Sequence, residues 1–306
     1  MQPQLEVHLH TNYSCNLRCG HCYNNSGGRN QEALPQQLVM GIITAFCAAY
    51  DVEFHLEGGE IFLCPELLER MDTFPDNILQ RITITTNGTI QLESPRALSM
   101  LTRIGALRIS VEGHTDNQQR TVRGIGLAPV LDTAAYYQQQ GVPVVFRVTL
   151  SGANYDRFVE ETIPGLMKQG CRTLQVYEFQ QVGRGLSSGS QLALGKSIGE
   201  LLIALETHGA FLNGSVKFMF PRERISEIYA HQEALGRSGF NVQLIVPENS
   251  ISIHADGGVY ICPWDNDRSH CLFNIKEMDL KSALRRLDQE DLTHTCRHCS
   301  AIRIVC

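Results

Sequence analysis

The sequence predicts an α/β fold built on a parallel sheet, and two observations carry the prediction. Short β-type runs recur at Leu5 to His10, Val52 to Leu56, Arg81 to Thr85, Ala106 to Val111, Val142 to Leu150 and Thr173 to Phe179. Between them lie amphipathic segments near Pro35 to Tyr50, Pro65 to Met71, Pro95 to Arg103, Leu127 to Gln140 and Tyr155 to Gln169. Strands joined by helices in this way make right-handed crossovers, and their functional groups gather at the carboxyl ends of the strands. The punctuation agrees. Pro35, Pro65 and Pro95 stand near helix starts, where a missing N–H costs little, and Gly141 and Gly170 follow two of the helical stretches as stop signals.

After Phe179 the alternation changes. Residues 183–189 (GRGLSSG) form a turn-rich connection, a helix is expected from Gln191 to Thr207, and a mixed stretch runs on to Gly239. A boundary near Phe240 divides the chain into residues 1–239 and 240–306. In the second part, Ser250 to His254 and Val259 to Cys262 flank residues 255–258 (ADGG), a β-hairpin signal, and a short helix is expected near Glu277 to Leu287. No solenoid repeat or low-complexity tract is present.

With 306 residues the chain can bury a full core. The opening residues Met1 to Glu6 are polar, with no charged leader and apolar run, and no apolar stretch approaches the roughly 20 residues needed to cross a bilayer. No membrane association is therefore expected, and the chain is placed in the cytoplasm. The eleven cysteines are then reduced, and clustered ones point to metal. The 26 Lys plus Arg against 32 Asp plus Glu leave a formal charge of -6 without basic runs, so nucleic acid is disfavoured as a partner.

The strongest cluster is Cys15, Cys19 and Cys22, in C-x3-C-x2-C spacing just after the first strand. One loop can aim three sulfurs at one point. Three thiolates suit a cubane cluster with one iron lacking a protein ligand, or a zinc completed by His21, His8 or His10. With the neighbouring Asn16-Leu17-Arg18 and His21, the spacing resembles the signature of the radical S-adenosylmethionine (radical SAM) enzymes. In that family three cysteines bind three irons of a [4Fe-4S] cluster, and the methionine end of S-adenosylmethionine chelates the fourth.

Further motifs extend the resemblance strand by strand. Gly58-Gly59-Glu60, after the second strand, resembles the family's glycine-rich cofactor loop, where small residues let backbone approach the methionine moiety and the carboxylate can accept from its ammonium group. Thr85-Thr86-Asn87-Gly88 is similar to the family's strand-end TNG. Ile109-Ser110-Val111-Glu112-Gly113, followed by Arg120 and Arg123-Gly124, resembles a run of the peptide- and protein-modifying branch, with Ser110 and Glu112 on one strand face. Arg147, Asn154 and Val182-Gly183-Arg184-Gly185 also look like this branch. The resemblance spans Leu5 to Gly185 and implies cofactor binding by Gly58, Gly59, Glu60, Thr86, Asn87, Ser110, Glu112 and Arg123. It implies a partial (β/α)6 TIM-like barrel. His8 and His10 share one face of the first strand and are expected as hydrogen-bonded core or rim histidines, with lining of the barrel as the alternative; Glu53, His55 and Glu57 share one face of the second, read as a substrate wall, and no acid or base is assigned.

The second cysteine group is Cys262, Cys271, Cys296, Cys299 and Cys306. It resembles the SPASM and twitch extensions that bind auxiliary [4Fe-4S] clusters, although Asn249 and Ser250 stand where a cysteine usually precedes the hairpin. One cluster on Cys262, Cys296, Cys299 and Cys306 is expected, with Cys271 as substitute ligand; a zinc on Cys296, His298 and Cys299 is the alternative. Cys47, Cys64 and Cys171 sit singly and are expected as buried small hydrophobes.

By resemblance, the function is reductive cleavage of S-adenosylmethionine to a 5'-deoxyadenosyl radical that takes hydrogen from a ribosomally synthesised peptide, to crosslink, cyclise or epimerise it. An electron donor such as flavodoxin or ferredoxin is implied. Two alternatives are a radical dehydrogenase of a small alcohol or sugar and a non-catalytic zinc or iron-sulfur binding protein.

Overall fold

Twelve strands form one sheet in the order β11-β10-β9-β1-β2-β3-β4-β5-β6-β7-β12-β8. The structure is a computed structural model and describes residues 4–305 except 30, 195–196, 213–214, 245–248, 266–267, 291 and 293–299. The strands are β1 (Gln4–Asn12), β2 (Asp51–Gly58), β3 (Ile82–Thr86), β4 (Ala106–Val111), β5 (Val144–Leu150), β6 (Leu174–Glu178), β7 (Val216–Pro221), β8 (Asn241–Leu244), β9 (Ser250–Ile253), β10 (Gly258–Tyr260), β11 (Phe273–Asn274) and β12 (Ser300–Val305). β1 to β7 are parallel neighbours in chain order, as the alternation predicts. The sheet does not close on itself, so the architecture is the expected partial barrel.

Each strand alternates. Val7, Leu9, Phe54, Leu56, Ile84, Ile109, Val148, Val176 and Phe218 are buried in the main core under the helices. Each such large side chain contributes roughly 1.5–3 kcal/mol on leaving water. The intervening residues His8, His55, Glu57, Arg108, Arg147, Gln175, Tyr177 and Lys217 face a cavity inside the barrel. A filled parallel barrel would show near-continuous apolar runs instead.

The helices over Pro65–Met71 and Pro95–Arg103 start and stop where the prolines and apolar spacing predict. Ser94 caps the second through Ala97 N. Three local differences from expectation have physical reasons. Asp116–Arg123 is a helix that no apolar stripe announces, started by a reciprocal capping box between Thr115 and Gln118. The segment expected as one helix from Tyr155 to Gln169 opens as a π-turn over Phe158–Thr162 before Ile163–Lys168, because Pro164 has no N–H to continue a regular ladder. The helix expected from Gln191 to Thr207 is instead two, Gly185–Leu192 and Gly199–His208, the second starting where Ser197 Oγ accepts from Gly199 N at 2.9 Å. The mixed stretch before Gly239 also contains β7.

Ser250–Ile253 and Gly258–Tyr260 form the expected antiparallel hairpin. β9 then adds in parallel to the free side of β1, with Glu6 opposite Ser250 and His8 opposite Ser252. At the other end β12 runs antiparallel to β7, with Arg303 opposite Met219. The sheet is therefore continuous across residue 240.

Candidate functional site

Cys15, Cys19 and Cys22 lie on the loop after β1 and line one cavity of about 120 Å³ at the carboxyl ends of the strands. The loop is held from four sides. Gly59 N donates to Asn12 O at 2.7 Å and Glu60 N to Ser14 O at 2.8 Å, tying it to the end of β2. Asn87 Nδ2, past β3, donates to Asn16 Oδ1 at 2.8 Å and lies 3.8 Å from Cys15 Sγ. Gly20 N donates to Val122 O at 2.8 Å, from the helix that follows β4. The fourth clasp is Arg184, which follows β6: its guanidinium donates to Cys19 O at 2.8 Å and Ser26 O at 2.7 Å, and its backbone N–H to Cys22 O at 2.9 Å.

Of the residues expected to bind the cofactor, Gly58, Gly59, Thr86, Asn87, Ser110 and Arg123 line this cavity with the cysteines. Glu60 and Glu112 do not line it and stand behind it. Glu60 is fully buried and accepts from Asn87 N at 2.7 Å, Thr86 Oγ1 at 2.8 Å and Phe62 N at 3.1 Å, which splices the end of β3 to the glycine loop. Burial pushes its carboxyl above the ordinary glutamate range despite these donors. Glu112 Oε1 accepts from Arg123 Nε at 2.7 Å and lies 3.0 Å from His21 Nε2. Burial opposes the charge on Glu112, but His21 and Arg123 hold its pKa below the usual range. Asn154, after β5, donates to Glu112 O at 2.7 Å and to Thr149 O at 2.9 Å, joining the ends of β4 and β5.

Glycine is needed at 58 and 59 by the protein's own backbone. Gly58 has φ +133, and a Cβ there would sit 2.3 Å from Asn12 O. A Cβ on Gly59 would sit 2.0 Å from Ser14 O. The cysteine loop can pack on the end of β2 only if both side chains are missing.

Sequence reasoning missed three contributors, Tyr23, Tyr177 and Trp264, which with Glu57 and Arg147 line both this cavity and a deeper one. Tyr23 Oη donates to Glu57 Oε2 at 2.5 Å and lies 3.3 Å from His10 Nε2. Its ring meets Trp264 edge-on at 4.9 Å, and His10 stacks on His254 at 4.5 Å. Trp264 is the only tryptophan in the chain and follows Cys262 closely, a composition signal that could have drawn it in. The sequence puts Glu57 on the polar face of the second strand and Arg147 in the fifth, but their convergence at 3.5 Å needs the register of β2 against β5 through the intervening strands.

The donor set at the first site is three thiolates and one open side. Three thiolates converging on one open cavity, with no fourth cysteine among its lining residues, fit the three protein-held irons of an iron-sulfur cubane. Glu112 Oε2 and Asn12 Oδ1 are buried acceptors without hydrogen-bond partners, and neither residue lines the cavity.

In the extension, Cys262 is buried just after β10, and Cys271 Sγ donates to Phe273 O at 3.1 Å. Cys296, His298, Cys299 and Cys306 lie outside the described residues. Cys171 is buried as expected, which pushes its thiol up to about 12, whereas Cys47 and Cys64 are only half-buried, with partial burial raising their thiols. No helix among the described residues is long and apolar enough to cross a membrane.

The family model for the radical SAM superfamily matches residues 10–161. The sporulation killing factor maturation protein SkfB of Bacillus subtilis (strain 168) is 24% identical over 174 residues, covering 56% of this chain and 42% of SkfB, so the match spans less than half of that relative. Among solved structures, SuiB of Streptococcus suis bound to precursor peptide SuiA superposes with a TM-score of 0.68 at 15% identity, covering 92% of this chain and 65% of that one. The tagged anSMEcpe with bound AdoMet gives 0.66 at 17% identity, covering 95% and 79% of the two chains. The three-cysteine loop, the strand-end motifs around its cavity, the partial barrel and the family match lead to one conclusion: this chain belongs to the radical SAM superfamily, which uses a [4Fe-4S] cluster with S-adenosylmethionine.

Proposed function

We propose that this protein is an enzyme that abstracts hydrogen from a ribosomally synthesised peptide and so crosslinks, cyclises or epimerises it. One observation carries the reading. The cysteine-lined cavity shares Tyr23, Glu57, Arg147, Tyr177 and Trp264 with a second cavity of about 450 Å³, which gives a bulky polar substrate group room next to the cofactor pocket. The likeness to SkfB, a maturation protein, and to SuiB, solved with a precursor peptide, supports it.

Cys15, Cys19 and Cys22 would hold the cluster. Gly58, Gly59, Thr86, Asn87, Ser110 and Arg123 would line the S-adenosylmethionine pocket, with Glu112 behind it holding Arg123 in place. When bound, the pair supplies a 5'-deoxyadenosyl radical, formed by one-electron cleavage of S-adenosylmethionine, that takes a hydrogen atom from carbon. The protein's own residues place the target. Arg184, Asn87 and the Gly58-Gly59 backbone fix the cysteine loop, while Tyr23 and Trp264 form the apolar edge between the two cavities. A fixed geometry of this kind matters more to hydrogen abstraction than proton transfer does.

In this reading residues 240–306 are the extension, with one auxiliary cluster on Cys262, Cys296, Cys299 and Cys306 and Cys271 as substitute. A flavodoxin or ferredoxin supplies electrons, and the enzyme works in the cytoplasm, where thiols stay reduced. The test is anaerobic reaction of the reconstituted protein with candidate precursor peptides, followed by mass spectrometry and chromatography. A mass or retention-time change that requires S-adenosylmethionine is expected. Deoxyadenosine formed only with small alcohols, and no peptide altered, would replace this reading with the dehydrogenase one.

A further inference from the structure

The deeper cavity has two chemically different walls. On β1 and β2 stand Glu6, His8, Glu53, His55 and Glu57; on β4, β5, β7 and β12 stand Arg108, Arg147, Lys217 and Arg303. The acidic wall is largely matched internally. Glu6 Oε1 lies 2.7 Å from His55 Nε2 and 3.5 Å from His8 Nε2, while Glu57 meets Arg147 at 3.5 Å and accepts from Tyr23 at 2.5 Å.

This wall does not suit a cation, even though Glu6, His8 and His55 have metal-ligand spacing. Arg108 Nη1 lies 3.0 Å from His55 Nδ1, and a guanidinium can only donate. That bond puts the His55 proton on Nε2, facing Glu6, and leaves no lone pair there for a metal.

Arg147 is paired with Glu57 and Arg108 with His55, but the far half of the cationic wall is not matched. Lys217 and Arg303 have no carboxylate partner among the described residues, and Arg303 Nε and Arg108 Nε are buried without any hydrogen-bond partner. Lys217 and Met219 alternate onto the cavity face of β7, and Arg303 stands directly opposite Met219 on β12, so Lys217 and Arg303 are diagonal neighbours. One register row, Ser110–Arg147–Gln175–Lys217, runs from the cofactor pocket into this wall. Buried donors without acceptors are costly unless a ligand satisfies them.

We propose that this wall is a carboxylate-binding subsite in which Lys217 and Arg303 take an aspartate or glutamate side chain of the peptide substrate, anchoring it while a neighbouring carbon lies under the cofactor. The inference rests on the peptide-modifying reading and narrows its substrate class. An Arg beside a Lys suits one carboxylate, the guanidinium supplying paired donors and the ammonium a point charge.

Trp264 lines both cavities and is the chain's single tryptophan, so its emission reports on occupancy. The anaerobically reconstituted full chain is titrated with N-acetyl-glutamate amide, its uncharged counterpart N-acetyl-glutamine amide, and inorganic phosphate. The expected result is a saturable change with the glutamate derivative and at least roughly tenfold weaker responses to the other two. Lys217→Met and Arg303→Met should each weaken the glutamate response by about tenfold, with far-UV circular dichroism and iron content unchanged, and Lys217→Arg should retain most of it. Equal response to glutamate and glutamine derivatives, preference for phosphate, or a response untouched in folded Lys217→Met and Arg303→Met overturns the proposal. If a variant fails to fold, the wild-type preference and Lys217→Arg still decide. Peptide mass spectrometry tests the parent reading separately, so the two can fail independently.

Discussion

Arg123 Nε donates to Glu112 Oε1 at 2.7 Å while Nη1 of the same guanidinium stands 3.9 Å from Cys19 Sγ. One side chain therefore neutralises a buried carboxylate and faces the metal-binding loop. Glu112 is 1% exposed and Arg123 9%, so neither charge can fall back on water.

Removing one partner should cost more than removing both. Arg123→Met leaves Glu112 buried with only His21 beside it, and about 3–5 kcal/mol of stability should be lost. The double variant Arg123→Met with Glu112→Gln should recover part of that loss. Urea denaturation of the wild type, Arg123→Met, Glu112→Gln and the double variant under anaerobic conditions measures the coupling, and strict additivity would deny that the pair acts as a unit.

The glycine loop should be intolerant for reasons of the protein's own backbone. Gly59→Ala pushes a methyl to 2.0 Å from Ser14 O, so the cysteine loop must shift and iron should be lost while helical content survives. Gly236→Ala is the matched control: nothing lies within 4 Å of its added carbon, and as a helical position it should gain roughly 0.5–1 kcal/mol. Iron analysis and circular dichroism separate the two outcomes.

Cys15→Ala should remove about four irons per chain with matching sulfide and abolish cleavage of S-adenosylmethionine. Cys299→Ala should spare cleavage but lose product. Elemental analysis together with quantification of deoxyadenosine and modified peptide checks both. Zinc without sulfide in the wild-type protein would contradict the cluster at its root.

Stability should depend on pH through the buried histidines. Burial lowers His10 to about 4, His55 to about 4 and His254 to about 3, whereas the unfolded chain protonates each near about 6.5. Their contribution is complete above about 6.5 and is lost as pH falls through the folded values, on the order of 1–3 kcal/mol per site. His8 runs the other way. Burial opposes its charge, but Glu57 and Glu6 raise it to about 9, so its contribution is present below about 6.5 and is lost as pH rises through 9. Urea midpoints should therefore peak near neutrality, and His254→Phe should flatten the acid limb. An unchanged acid limb in that variant would mean that His254 is charged in the folded state.

Much of the barrel was legible because its signals are local. Apolar alternation and prolines at helix starts place β1 to β6 and the helices Gln36–Ala49, Pro65–Met71, Pro95–Arg103 and Ala128–Gln139 within a few residues. The cofactor pocket was legible because its motifs sit at successive strand ends, which a parallel sheet brings together. Other features depend on contacts between distant segments. Nothing local says that Glu60 turns away from the pocket to accept from Asn87 N, or that Arg184 reaches back to Cys19 O. β7 alternates legibly, with Val216, Phe218 and Phe220 buried, and Asn213-Gly214 stands just before it in the sequence as a turn signal, so this strand was readable and is a miss of the sequence reading rather than of the signal.

The pairing of β9 with β1 sets the order in which the molecule can be completed. As the chain leaves the ribosome, β1 gains β2 early, but its other edge has no partner until Ser250–Ile253 emerges. Through most of synthesis the strand that precedes the cysteine loop therefore presents a row of open backbone groups, and such an edge invites pairing with other chains. Long-range closure of this kind also slows folding. Expression yield should accordingly respond to chaperone supply and growth temperature, and a fragment ending near residue 240 should aggregate through β1 even with its cysteine loop intact.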